Sequence, residues 1–114
     1  MNITAYHFGR IDIDGRTYTS DVIVTPEGVL DTWWRKQGHI LAMADLAEIV
    51  AARPEILVVG TGCYGRMAVS EETRSYLEAQ GVQLRQARTA EAVKVFNQLQ
   101  KAPARVVAAL HVTC

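Results

Sequence analysis

Apolar residues along this chain fall into short blocks with two different periods. Ile56-Leu57-Val58-Val59 and Val106–Val112 are apolar almost throughout, the pattern of strands buried on both faces. Between them the period changes. Ala44–Ala52 carries Leu46, Ile49 and Val50 on one side and predicts a helix that ends before Pro54, a residue that cannot continue it. Ser70 followed by Glu71 and Glu72 predicts a capped helix start with acids at the positive end of the dipole. That helix is expected to bury Tyr76 and Leu77 and to stop at Gly81. Val82–Ala87 alternates and predicts a short strand. Thr89 is expected to cap a further helix, with Ala92, Val93, Phe96 and Leu99 on its inner face.

The first third reads as β-structure. Asp14-Gly15 is a hairpin signal between Arg10–Ile13 and Arg16–Thr25, and Pro26-Glu27-Gly28 is a second turn. Val29 to Trp34 is expected to continue as a strand. Together these patterns predict an α/β fold in a single domain spanning residues 1–114. It is layered, with a central mixed β-sheet, flanking helices and an N-terminal antiparallel β-meander. Ile56–Val59 and Val82–Ala87 should run parallel, joined by a right-handed crossover, with the final strand beside one of them.

Composition narrows the function classes. With 49% hydrophobic and 21% charged residues, the chain has globular rather than disordered composition. No apolar run is long enough to span a membrane and no leader pattern opens the chain, so a soluble cytoplasmic protein is expected. Lys and Arg total 12 against 12 Asp and Glu. Residues 1–55 hold five bases and eight acids, a balance of −3, and residues 56–114 hold seven and four, a balance of +3. This falls short of the dense basic face of a nucleic-acid binder, so no nucleic-acid partner is expected. Cys63 and Cys114 make no disulfide framework, and His7, His39 and His111 form no local cluster. No metal or cofactor is expected on those grounds.

The strand at Ile56–Val59 runs into Gly60-Thr61-Gly62-Cys63-Tyr64-Gly65, a G-x-G-x-x-G pattern. Such a pattern marks a dinucleotide site only in the right context. The preceding strand is present. The helix start, however, is delayed to Ser70, and the acid needed for the ribose is replaced by Arg85 and Arg88. No Gly-Lys-Ser/Thr follows, which excludes the lysine-bearing P-loop. What survives is a turn whose backbone amides offer an anion nest, with Arg66 close by.

Several short stretches carry a resemblance. Asp21-Val22-Ile23-Val24, Trp34-Arg35, Gly38-His39, Val59-Gly60-Thr61-Gly62, Thr89-Ala90-Glu91-Ala92, Phe96-Asn97-Gln98-Leu99 and Leu110-His111-Val112-Thr113-Cys114 occur in that order. Together they resemble the Mth-nine-three-eight-like domain family. The resemblance implies a layered α/β fold with a central mixed sheet and a flanking β-element. It implies little chemistry, because the family has no established catalytic mechanism. Its better-understood members are accessory proteins, including an adipogenesis-associated protein and a mitochondrial complex I assembly factor. Phe96 stands where many family sequences have tyrosine, which removes a hydroxyl from that position.

No nucleophile–base pair or catalytic carboxylate pair is legible, and Asp21 reads as a turn or hydrogen-bonding residue at the head of a strand. The expected function is therefore a non-catalytic accessory or protein-interaction domain, monomeric or weakly dimeric, with protein partners of unknown identity. The alternative is an anionic-ligand binder or enzyme built on the Gly60–Arg66 loop. Its candidate pocket comprises Gly60, Thr61, Gly62, Cys63, Tyr64, Gly65 and Arg66, joined by Arg35, His39, Asn97 and His111. Of the adjacent tryptophans, one should enter the core, leaving Trp33 or Trp34 for a second layer or a partner.

Overall fold

A computed structural model describes residues 1–35 and 38–113. The strands are β1 (Ile3–His7), β2 (Arg10–Ile13), β3 (Arg16–Tyr18), β4 (Val22–Thr25), β5 (Gly28–Leu30), β6 (Ile40–Leu41), β7 (Ile56–Thr61), β8 (Ala68–Val69), β9 (Gln83–Ala87) and β10 (Val106–His111). The α-helices are α1 (Ala47–Ala51), α2 (Glu71–Ala79) and α3 (Thr89–Leu99).

The central sheet is five-stranded and mixed, in the order β5-β4-β10-β7-β9. The continuously apolar final strand takes the middle position, as its pattern requires. It runs parallel to β7 and antiparallel to β4. The chain leaves β7 and returns through α2 to the parallel neighbour β9. Alternation along the strands divides the core in two. Val106, Ala108 and Leu110 face α3 and the N-terminal strands, together with Phe96, Ile11 and Ile13. Val107 and Ala109 face the other way, toward Leu46, Ile49 and Leu77. No helix among the described residues is long and apolar enough to cross a membrane.

The N-terminal β-region divides differently from a single continuous meander. β1, β2 and β3 form their own antiparallel sheet, whereas β4 and β5 join the central sheet. The break follows burial. β4 is buried at all four positions, while β3 is mostly exposed. The strand expected over Val29–Trp34 ends at Leu30, because Thr32 adopts φ 57° and turns the chain. The helix expected over Ala44–Ala52 is split into a 3₁₀ turn, Met43–Asp45, and the short α1.

α2 starts as its sequence dictates, with the Ser70 hydroxyl accepting from the Thr73 amide at 3.2 Å. It ends at Gly81, whose φ of 78° is the left-handed turn that glycine takes most cheaply. The start of α3 departs from expectation. Arg88 is its cap residue, and Thr89 is the first helical position. The Thr89 hydroxyl instead donates to the His111 carbonyl at 2.6 Å and accepts from the Gly62 amide at 2.9 Å. It therefore binds the helix to two strands.

Candidate functional site

The ends of β7 and β10 lie level, with Thr61 opposite His111. β4 begins beside them, and Asp21 immediately precedes it. Asp21 Oδ1 accepts from the Val112 amide at 2.8 Å, extending the β4–β10 pairing with a side chain. Asp21 Oδ2 meets two further groups, Arg35 Nη2 at 2.8 Å and His111 Nδ1 at 2.9 Å. Arg35 Nη2 is also 3.0 Å from His111 Nδ1. That ring nitrogen carries either a proton or a lone pair, so it cannot serve both neighbours. A proton on Nδ1 directed at Asp21 leaves Arg35 Nη2 its other acceptors, Asp21 Oδ2 and the Gly38 carbonyl.

Arg35 is held from three sides. Its Nε and Nη2 donate to the Gly38 carbonyl at 3.2 and 2.9 Å, and its Cζ lies 4.8 Å above the Trp33 ring. Its side chain is only 3% exposed, and that of His111 is 8%. Burial alone would raise the Asp21 carboxyl pKa. The hydrogen bonds from His111 and the Val112 amide and the charge of Arg35 outweigh it and hold the carboxyl below its ordinary value. Two buried nitrogens, Arg35 Nη1 and His111 Nε2, have no hydrogen-bond partner among the described residues.

The glycine loop lies next to this cluster, and most of its amides are engaged. The Gly62 amide donates to Thr89, the Cys63 amide to the Thr113 carbonyl at 2.7 Å, and the Gly65 amide to the Gly62 carbonyl at 3.2 Å. The Met67 amide returns to the Thr61 carbonyl at 3.0 Å, and the Thr61 hydroxyl donates to the Ala87 carbonyl at 3.0 Å. Gly60 answers a packing demand. A Cβ there would stand 2.9 Å from both Leu110 Cδ2 and Thr89 Oγ1. Gly62 and Gly65 adopt φ of 102° and 71° and provide the turn itself.

His39 and His111 pack edge to face with ring centroids 6.1 Å apart. Arg35, His39 and His111 thus come together beside Thr61. Asn97 lies elsewhere. Its amide brackets Ile3, accepting from the Ile3 nitrogen at 3.0 Å and donating to the Ile3 oxygen at 2.7 Å. Cys63 is half-buried and neighbours Tyr6, whose hydroxyl donates to the Val112 carbonyl at 2.9 Å. Burial, with the Cys63 sulfur adding to it, pushes that hydroxyl up to about 12. Asp21 and Tyr6 were absent from the candidate pocket drawn from sequence. Only the position of Asp21 at the head of the Val22–Thr25 strand hinted at its hydrogen-bonding role.

A family model covers residues 3–111 of this chain and is described as a protein of unknown function (DUF498/DUF598). The chain belongs to that family. Among solved structures similar to this DUF498/DUF598 protein is the conserved hypothetical protein PH1505 from Pyrococcus horikoshii. It is 27% identical over 100% of both chains, with a TM-score of 0.81. A structure named MT938 is 29% identical over 99% of this chain and 98% of its own, with a TM-score of 0.80. A Bordetella pertussis protein described as a Mth938-like domain is 25% identical over 97% of this chain and 85% of its own, with a TM-score of 0.72. The chain is thus a Mth938-like domain of the DUF498/DUF598 family, consistent with the resemblance read from its short motifs.

Proposed function

We propose that this DUF498/DUF598 protein is a non-catalytic accessory domain that binds another protein through the end where β7 and β10 finish. One observation carries the reading. The three most exposed large hydrophobic side chains among the described residues are Trp34 at 80%, Tyr64 at 59% and Phe8 at 56%. All three surround the Val112-Thr113 segment. Trp34 and Thr113 line one hollow of about 440 Å³. The Phe8 and Tyr64 rings pack with centroids 6.3 Å apart, and the adjoining Gly9 and Cys63 amides donate to the Val112 and Thr113 carbonyls. Arg66 lies 6.0 Å from the Tyr64 ring. Tryptophan, tyrosine and arginine dominate the energetic centres of protein interfaces. The Asp21–Arg35–His111 cluster then acts as a rigid footing, since Arg35 carries Trp33 on its face and fixes the chain next to Trp34.

A photo-crosslinking residue placed at Trp34, Tyr64 or Phe8 tests this in native cells, with the exposed Gln98 of α3 as the control position. A discrete adduct of one mass from the three aromatic positions, absent from Gln98, supports the reading. The same adduct from Gln98, or none from any aromatic position, refutes it.

A second reading is favoured by the unpartnered Nη1 of Arg35, because a buried donor without a partner is rare and calls for an explanation. A carboxylate or phosphate seated in the hollow edged by Arg35 would supply an acceptor for Nη1. Inorganic phosphate should then raise the melting temperature of the wild type and not of Arg35→Met. Equal shifts in the two proteins would remove the basis for this reading.

A further inference from the structure

β9 ends the central sheet, and no further strand pairs with it among the described residues. The Gln83 amide donates to the Glu55 carbonyl at 2.9 Å, which turns it toward β7. Strand alternation then turns the backbone groups of Arg85 and Ala87 inward as well, and those of Leu84 and Gln86 outward, free to pair. The edge is strongly biased in charge. Residues 82–88 hold Arg85 and Arg88 and no acid. The ion pairs among the described residues use Arg10, Arg35, Arg74, Lys94, Arg105 and His111, which leaves Arg85 and Arg88 without a carboxylate. Beside the edge, on the α3 face, a hole of about 180 Å³ is bordered by Val58, Ala87, Ala92, Val95 and the stem of Arg85. It has room for one aliphatic side chain.

We propose that β9 is a docking edge for an extended acidic segment of another protein, which adds a sixth strand to the sheet. The main-chain groups of Leu84 and Gln86 provide the pairing. An acidic side chain of the added strand meets Arg85 or Arg88, and an apolar one two residues away enters the hole under α3. A second copy of this chain is a poorer occupant. Antiparallel self-pairing of two β9 edges brings arginine toward arginine with no acid on either strand, and like charges facing each other are destabilising. This proposal stands apart from the aromatic end, and either can fail without the other.

The test uses the full chain labelled with ¹⁵N and an octapeptide of two Glu-Thr-Val-Thr repeats, which sets glutamate and valine two residues apart on one face. The same octapeptide with lysine in place of glutamate and a single-stranded oligonucleotide serve as comparisons. The acidic peptide is expected to shift the Leu84 and Gln86 amides and slow their exchange, while the basic peptide leaves them unchanged. Gln86→Pro and Gln86→Ala both lose the side-chain oxygen that accepts from Arg74 at 2.6 Å, but only the proline loses the outward amide, so it should bind the acidic peptide about tenfold more weakly than the alanine variant, a difference of about 1.4 kcal/mol. The double variant Arg85→Glu/Arg88→Glu keeps the backbone edge and should invert the preference, so the proposal remains testable if the proline variant does not fold. Three results would overturn it: equal binding of acidic and basic peptides, preference for the oligonucleotide, or a homodimer that protects Leu84 and Gln86.

Discussion

Asp21 Oδ2 and His111 Nδ1 stand 2.9 Å apart although 90 residues separate them in sequence. Their contact links the start of the antiparallel strand β4 to the end of the parallel strand β10, and Arg35 closes the group from a loop. The net charge of this cluster depends on Asp21 staying ionised beside a guanidinium taken almost wholly out of water. Replacing Asp21 by asparagine should leave Arg35 buried without its counter-charge and cost on the order of 3 kcal/mol, the cost of breaking a buried pair from one side. Urea unfolding checks this as a lower midpoint with an unchanged slope.

The same carboxylate sets an acid dependence. Its pKa in the folded protein lies below the ordinary aspartate value of 3.8, so in acid the unfolded chain takes up the proton first. The stability contributed by ionised Asp21 is therefore complete above the unfolded value and is lost as pH falls through the lower folded one. The wild type should lose stability steadily below about pH 5. Asp21→Asn should show a shallower loss over that range. Parallel slopes for the two proteins would mean that Asp21 is not held ionised by its neighbours.

What could be read from the sequence was local or periodic. The Ser70 cap, the Gly81 stop and the continuous apolar run at Val106–Val112 each depend on neighbours within a few residues. All three correspond to features of the fold. The Thr89 hydroxyl looked like a cap for the same local reason. Its position against the His111 carbonyl is fixed by the β7–β10 register, which the local sequence does not encode. The Asp21–Arg35–His111 cluster was hidden for a related reason, since its members come from three distant segments. Asn97 and His111 both interrupt apolar patterns, and nothing in those patterns says that one faces the N-terminal strand and the other faces Arg35.

The first glycine of the G-x-G-x-x-G pattern provides a sharp steric test. At Gly60 an added Cβ would meet Leu110 Cδ2 and Thr89 Oγ1 at 2.9 Å and the Thr89 Cα at 3.3 Å. Gly60→Ala should therefore push the start of α3 off the sheet and cost roughly 1–3 kcal/mol, as overpacking generally does. Gly38 has nothing within 4 Å of its added Cβ, and Gly38→Ala should stay within about 0.5 kcal/mol of the wild type. Thermal unfolding of the two variants separates a packing glycine from a permissive one.

Asn97 offers the last test, because its two amide atoms hold both backbone groups of a single residue. Oδ1 accepts from the Ile3 nitrogen and Nδ2 donates to the Ile3 oxygen, so the side chain substitutes for a strand neighbour at the start of β1. Ile3 is itself buried in the core beside Phe96. Asn97→Ala should cost about 1–2 kcal/mol for two hydrogen bonds lost at a partly buried position. The effect should be regional. Amide exchange at Ile3 should accelerate strongly, while the amide of Val112, bonded to Asp21, should retain its protection. Asn97→Asp should not rescue the loss. It keeps an acceptor for the Ile3 nitrogen but sets a second oxygen against the Ile3 carbonyl, where a donor is required. If the aspartate variant matched the wild type, the bracket around Ile3 would not be what secures β1.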